Sequence, residues 1–229
     1  PVTSHIRGEG RSVVASVDEM IEIGKRSGAH IHISHMKAAG TDMWGHAVNV
    51  MLEHIDRARR DGLEITFDAY PYTAGSTTLL SLFPPETLAQ GTEGVLKQIA
   101  DPKGRAYILS QFATQREGWD NFIQTLGWGR VIVSGSSNQA EVGKTIQELA
   151  DNAGCAPGEY ALDLLVRENG CVPTVLEEMD PDDVRKILTR PDCIVISDSL
   201  YSAAGMPHPR KYGSFQHFLC QYVKEEKLL

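Results

Sequence analysis

Two histidines in matching surroundings are the residues of this chain best placed to do chemistry together. His5 in Ser4-His5-Ile6-Arg7 and His35 in Ser34-His35-Met36-Lys37 repeat one pattern, hydroxyl, imidazole, apolar, basic, at a separation of 30 positions. Each follows a short entry that suits a β-strand and precedes a glycine-containing loop and a helical pattern. Adjacent strands of a parallel sheet, about 4.8 Å apart, would hold the two imidazoles side by side, near enough to bind one metal ion. Either histidine alone reads more readily as a hydrogen-bonded structural residue closing a strand than as a ligand. Repetition of the whole unit at strand–helix–strand spacing gives the ligand reading of the pair equal weight with the structural one.

The elements that must position them follow from periodicity. Val17, Met20, Ile21 and Gly24 form one apolar stripe, with Ser12 or Ser16 as N-cap (Ser16 and Glu19 at capping-box spacing) and Gly28 closing the helix. Strand 30–35 comes next. In it His30 and His32 alternate with Ile31, Ile33 and His35, which places the first two on the opposite face as structural residues. Val48, Met51, Leu52 and Ile55 repeat the stripe on a helix from about Trp44 to Arg60, and a third strand leads to Asp68. Such alternation makes a parallel sheet with right-handed crossovers and, at this length, a β/α barrel whose strand ends carry the chemistry. Tyr70-Pro71-Tyr72 leaves the sheet extended, and Gly75-Ser76-Thr77 reads as a hydroxyl-rich loop on the same rim.

Residues 84–130 break the rhythm with Pro84-Pro85, Gly91, Gly94, Pro102, Gly104 and Gly118 between short helical pieces, the signature of an inserted lid or small subdomain. Residues 131–134 and 172–176 are further strand candidates, and a helix begins at Pro181. The run Cys193–Ser197 reads as a buried strand delivering Asp198, which in that position could be a metal ligand, a general base or a helix N-cap. The cap reading is the weakest, because Ala203-Ala204-Gly205-Met206-Pro207 is a poor helix start. His46, His54 and His217 lie in helical patterns without ligand-type partners.

The 229 residues, 41% hydrophobic and 23% charged, suit a globular protein with a sizeable core. A net charge of −8 argues against nucleic acid or an anionic membrane surface as partner. No apolar run approaches the ~20 residues of a membrane span. Four scattered cysteines without a C-x-x-C pair are expected to be reduced, which favours a cytoplasmic protein. A start at Pro1 almost directly on a functional-looking strand, and an end within or just after a helix, lead us to expect part of a longer protein.

Taken together, SHIRGEG, ISHMKAAG with Trp44-Gly45, DAYPYTAGST, the Ser-Asp of CIVISDS, HPRKYGSF and YVKEEKLL resemble the D-aminoacylase (N-acyl-D-amino-acid deacylase) family of the amidohydrolase superfamily. The resemblance implies an α/β fold, a partial (β/α)8 barrel made of its last four strand–helix units. Barrel strands five to seven would fall in 1–83, an inserted mainly helical subdomain in 84–170, and the last strand and terminal helix in 171–229. It implies zinc as cofactor, held by His5 and His35, with Asp198 able to contact metal and acting as the catalytic acid/base. Lys37, Tyr70, Ser76 and Arg210 would contact the substrate carboxylate. The implied reaction is hydrolysis of the amide of an N-acyl-D-amino acid. Two features depart from the family: its His-x-His strand and cysteine ligand have no counterpart here, and Ser199 stands where glycine usually follows the aspartate. The isolated chain is therefore expected to be inactive, and to associate with itself or with the missing part of the barrel. The alternatives are a cyclic-amide hydrolase of the dihydroorotase or hydantoinase type, and a folded but non-catalytic fragment.

Overall fold

A computed structural model describes residues 1–199 and 205–229. Ala203 and Ala204, part of the poor helix start noted above, lie outside them. The chain divides into two compact units, one of Pro1–Thr73, Met179–Leu200 and Pro209–Leu229, the other of Ala74–Glu178 and Tyr201–His208.

In chain order, the first unit opens with β1 (Val2–Ser4), α1 (Val13–Ser27), β2 (Ile31–Ile33), α2 (Ala47–Arg60) and β3 (Ile65–Ala69). The second contributes β4 (Ala74–Thr78), α3 (Pro85–Leu88), α4 (Gly91–Ala100), α5 (Pro102–Phe112), α6 (Phe122–Leu126), β5 (Val131–Val133), α7 (Ile146–Ala153), α8 (Pro157–Arg167) and β6 (Pro173–Glu177). The chain then returns to the first unit with α9 (Pro181–Leu188), β7 (Cys193–Val195) and α10 (Arg210–His217), which continues as a π-helix over Phe218–Glu225.

In the first unit a parallel sheet runs in the order β1-β2-β3-β7. Its register places Ser4 opposite Ile33, and Ile33 opposite Phe67. One face is continuous apolar core: Ile31, Ile33, Ile65 and Phe67 are buried with Val17, Met20 and Ile21 of α1 and Val48, Met51 and Ile55 of α2. Gly24 belongs to that stripe because space demands it; a Cβ there would come within 2.7 Å of Ile31 and of Leu63. Gly28 closes α1 in the left-handed conformation that glycine adopts without steric cost. The Ser16 cap is corrected. Ser16 lies inside α1, where its hydroxyl donates to Ser12 O at 3.0 Å and accepts from Gly8 N at 3.0 Å, tying the loop after β1 to the helix. Arg190 and Asp192 lead into β7, and Arg190 reaches across to Asp56 of α2 at 3.0 Å.

Two strand expectations change. The run at 193–195 is an edge strand with Ile194 54% exposed, so it is not buried on both faces. Ala74–Thr78, read as a loop, is a strand. It pairs antiparallel with β6, and β5 pairs with β6 from the other side. The strands at 131–133 and 173–177 therefore join this small antiparallel sheet and not the parallel one. This pairing also carries the second unit beyond 84–170 at both ends.

The second unit has its own core, including Leu79, Phe83, Ile108, Val131, Ile146, Leu162 and Leu165. A buried carboxylate pins its longest loop: Glu141 accepts from Ser136 Oγ at 2.7 Å, Tyr160 Oη at 2.8 Å and Arg167 at 2.6 Å. Burial opposes ionisation of Glu141, but the Ser136 and Tyr160 hydrogen bonds and the Arg167 charge outweigh it and hold its pKa below the ordinary 4.5. A depressed carboxylate pKa adds stability above the unfolded value, and that stability is lost as pH falls through the folded value. Glu141→Gln should thus cost roughly 1–3 kcal/mol near neutral pH. The difference between wild type and variant should shrink as pH drops below about 4.5 in urea titrations. A pH-independent difference would contradict the ion-pair assignment.

Candidate metal centre

The parallel register of β1 and β2 brings the two histidine units together. Ser34 N donates to Ser4 O at 2.9 Å, and one residue further on the rings meet, with His5 Nδ1 and His35 Nε2 2.9 Å apart. Glu9, from the Gly8-Glu9-Gly10 turn, joins them, its Oε1 2.9 Å from His35 Nδ1. The same oxygen accepts from Lys37 Nζ at 2.6 Å, and Ala39 N donates to Glu9 O at 2.7 Å, binding the two loops together. Among the described residues, His5, Glu9 and His35 form the one group of three metal-ligand types, with one ligand atom from each mutually within 4.8 Å.

The electrostatics follow from this crowding. Burial opposes charge on Glu9, yet the Lys37 ammonium and the His35 hydrogen bond more than compensate and bring its pKa down to about 2. His5 is exposed by area, but loss of solvation against its neighbours lowers its pKa, as do the His35 and Lys37 charges, while Glu9 pulls the other way. A lowered pKa keeps the ring neutral near pH 7, the form that binds metal. Two facing imidazole nitrogens suit zinc, which takes histidine nitrogen readily, and Glu9 stands behind the His35 ring. His35 is set up for it: Nδ1 faces Glu9 and Nε2 faces His5. Lys37 Nζ also lies 2.9 Å from that Nδ1, so Glu9 and Lys37 together hold the orientation of the ring. The donor set therefore fits the metal expected from the sequence.

The remaining expected residues divide between the two units. Asp198 follows β7 in a left-handed conformation (φ 45°) and pairs with Arg210 at 2.8 Å; its charge also acts on His5. It does not belong to the three-residue ligand cluster. Arg210 is buried as the first residue of α10, with its guanidinium 4.5 Å from the centre of the Tyr70 ring, and Lys37 Nζ is 5.7 Å from that centre. Lys37, Tyr70, Asp198 and Arg210 are thus gathered in the first unit. Ser76 is in the second, on β4 opposite Val175.

Sequence reasoning missed Glu9 as a contributor and the backbone conformation of His35. Glu9 was legible only as part of a glycine-rich turn, although a carboxylate four residues after a candidate ligand was a usable signal. Alternation also put His35 on the face of Ile31 and Ile33. The chain turns at Ser34-His35, and His35 takes φ 39°, so the imidazole leaves the alternation. Cys193 stands in β7, where burial, then the charges of Asp68 and Asp192, push its pKa up to about 12.

Comparison with known proteins bears on this arrangement. No family model matches the chain. It is 31% identical over 229 residues to N-acyl-D-glutamate deacylase from Alcaligenes xylosoxydans xylosoxydans, covering 99% of this chain and 37% of that protein. It is 26% identical over 224 residues to D-aminoacylase of the same organism, covering 97% of this chain and 36% of that one. The structure of N-acyl-D-glutamate deacylase from Bordetella bronchiseptica, complexed with zinc and a phosphonate that mimics the tetrahedral intermediate, superposes with a TM-score of 0.72. The match is at 28% identity and covers 99% of this chain and 38% of that one. Its homologues are amidohydrolases that deacylate N-acyl-D-amino acids. The chain spans little more than a third of the length of these deacylases, and has their α/β fold.

The Glu9–Lys37 contact is a buried ion pair, so removing one partner leaves the other's charge uncompensated. Glu9→Gln should destabilise the chain by about 2–4 kcal/mol, and Glu9→Gln with Lys37→Met should recover much of the loss. A double-mutant cycle in urea measures the coupling, and a coupling near zero would show that the pair is not formed.

Proposed function

We propose that this chain carries the metal-binding strand ends of an N-acyl-D-amino-acid deacylase, and that the reaction is hydrolysis of the substrate amide to a carboxylate and a free D-amino acid. The observation that carries the reading is the meeting of His5 and His35 over Glu9, in a chain related along its whole length to deacylases. His5 and His35 would hold zinc. Zinc bound there supplies Lewis acidity, polarising an amide carbonyl and acidifying water.

The rest of the chemistry falls to side chains. Asp198 takes a proton from the attacking water on a carboxylate oxygen and returns it to the departing nitrogen, since an amine leaves poorly unless protonated. Arg210 restrains that carboxylate from 2.8 Å. Its planar guanidinium can also pair with the α-carboxylate of the substrate, with Lys37 adding charge and Tyr70 a hydroxyl. Ser76 is assigned to the same carboxylate by the family resemblance alone.

In this reading the parallel sheet β1-β2-β3-β7 is the later part of a (β/α)8 barrel, and the unit built on β4, β5 and β6 is inserted between its strands. The two edge strands, β1 and β7, would pair with further barrel strands or with a second copy of the chain. Two imidazoles and one shared carboxylate make a weak zinc site, so the isolated chain would be a poor catalyst. The cyclic-amide alternative is not favoured, because the homologues are deacylases.

The test pairs binding with turnover. His35→Ala should weaken zinc binding at least ~10-fold and remove any release of D-amino acid from N-acetyl-D-glutamate or N-acetyl-D-aspartate. Dihydroorotate and hydantoin should not be hydrolysed. Unchanged zinc affinity in the variant, or preferred turnover of the cyclic amides, would overturn the reading.

A further inference from the structure

The geometry points to Asp68, supported by His32, as the positioning residue that holds the proposed ligand His35 in its left-handed turn. This inference rests on the metal role proposed for His35 but concerns the backbone that presents it.

His35 is β-carbon-bearing and yet sits at φ 39°. A non-glycine residue in that region carries strain of ~1 kcal/mol or more and persists only where its surroundings over-determine it. Those surroundings come from the end of β3. The Asp68 carboxylate accepts a hydrogen bond from the His35 amide through Oδ1, and the Asp68 main-chain oxygen accepts from the next amide, Met36 N, at 2.8 Å. One residue of β3 therefore holds two successive amides of the turn. Its other carboxylate oxygen, Oδ2, is 2.8 Å from His32 Nε2, and His32 Nδ1 is 2.8 Å from Thr66 Oγ1. Asp68 is buried and His32 half-buried, so the carboxylate is fixed on both oxygens.

The face of β2 opposite the apolar core thus has a task. His32 and Thr66 are register partners, and His32 reaches two residues further along β3 to Asp68, on the same face of the sheet. Without the Asp68 acceptor, the His35 amide would be left at a partly buried turn and the strained conformation would lose its main support. The ring could then move away from His5. Glu9 orients the imidazole from its Nδ1 side, while Asp68 orients the backbone that carries it.

Asp68→Ala and Asp68→Asn separate this role from a general effect on folding. Asparagine keeps Oδ1 as an acceptor; alanine removes it. With 15N-histidine labelling, and His35→Gln to assign the signal, exchange of the His35 amide with solvent should be slowed at least ~10-fold relative to an unfolded peptide in wild type and in Asp68→Asn. It should be fast in Asp68→Ala. Zinc affinity, read by competition with a chromophoric chelator, should fall about 10–100-fold in Asp68→Ala and only a few-fold in Asp68→Asn. A folded Asp68→Ala with a protected His35 amide would overturn the proposal. Should Asp68→Ala fail to fold, the wild-type amide decides alone: protection supports the clamp, and exchange as fast as in an unfolded peptide overturns it. A clamp present with zinc affinity unmoved in both Asp68 variants and in His35→Ala would instead locate the failure in the metal reading.

Discussion

The site depends first on a register. Pairing Ser4 with Ile33 in a parallel sheet, with Ser34 N donating to Ser4 O, brings the residues that follow to the same rim, His5 one position past Ser4 and His35 two past Ile33. Side chains alternate with period two, so a slip of one residue in β2 would turn Ile31 and Ile33 away from α1 and α2. The buried core of Ile31, Ile33, Ile65 and Phe67 fixes β2 against β3, and the pairing of β1 with β2 then brings the two imidazoles together. Packing on one face of the sheet determines the chemistry available at its edge.

Bringing two imidazoles, an ammonium and a carboxylate together has an electrostatic consequence. Glu9 is the negative charge of the cluster and touches both Lys37 and His35. Its low pKa keeps it charged over the whole range in which the protein would work. Asp198 and Arg210 form a second ion pair in the same unit, with the Tyr70 ring beneath Arg210. Of the three proposed chemical residues at strand ends, His35 and Asp198 adopt left-handed backbone. Strain of that kind gathers where side chains must be aimed against the local preference of the chain.

Much of the first unit was legible because its signals are local and periodic. The stripes of α1 and α2, Gly28 as terminator, and strands ending near His5, His35 and Asp68 follow from spacings of two and of three to four residues. What escaped was set by tertiary contacts. No local pattern marks His35 as left-handed, since the hydrogen bond that supports it comes from Asp68, 33 residues away. Ala74–Thr78 reads as a loop because Gly-Ser-Thr has the composition of one; β6, about a hundred residues later, makes it a strand. Ile194 looked buried because the run around it is apolar, yet it lies on an edge strand. Of the candidate site, the two histidines were readable from their repeated context, whereas the roles of Glu9, His32 and Asp68 are visible only once strands are paired.

The central claim, that His5 and His35 bind one zinc ion through the nitrogens that face each other, is open to direct measurement. Zinc K-edge X-ray absorption on the zinc-loaded chain should show imidazole scattering from two histidines with Zn–N distances of about 2.0–2.1 Å. His35→Ala should reduce it to one. A shell of oxygen neighbours without imidazole scattering, or a spectrum unchanged by His35→Ala, would contradict the account.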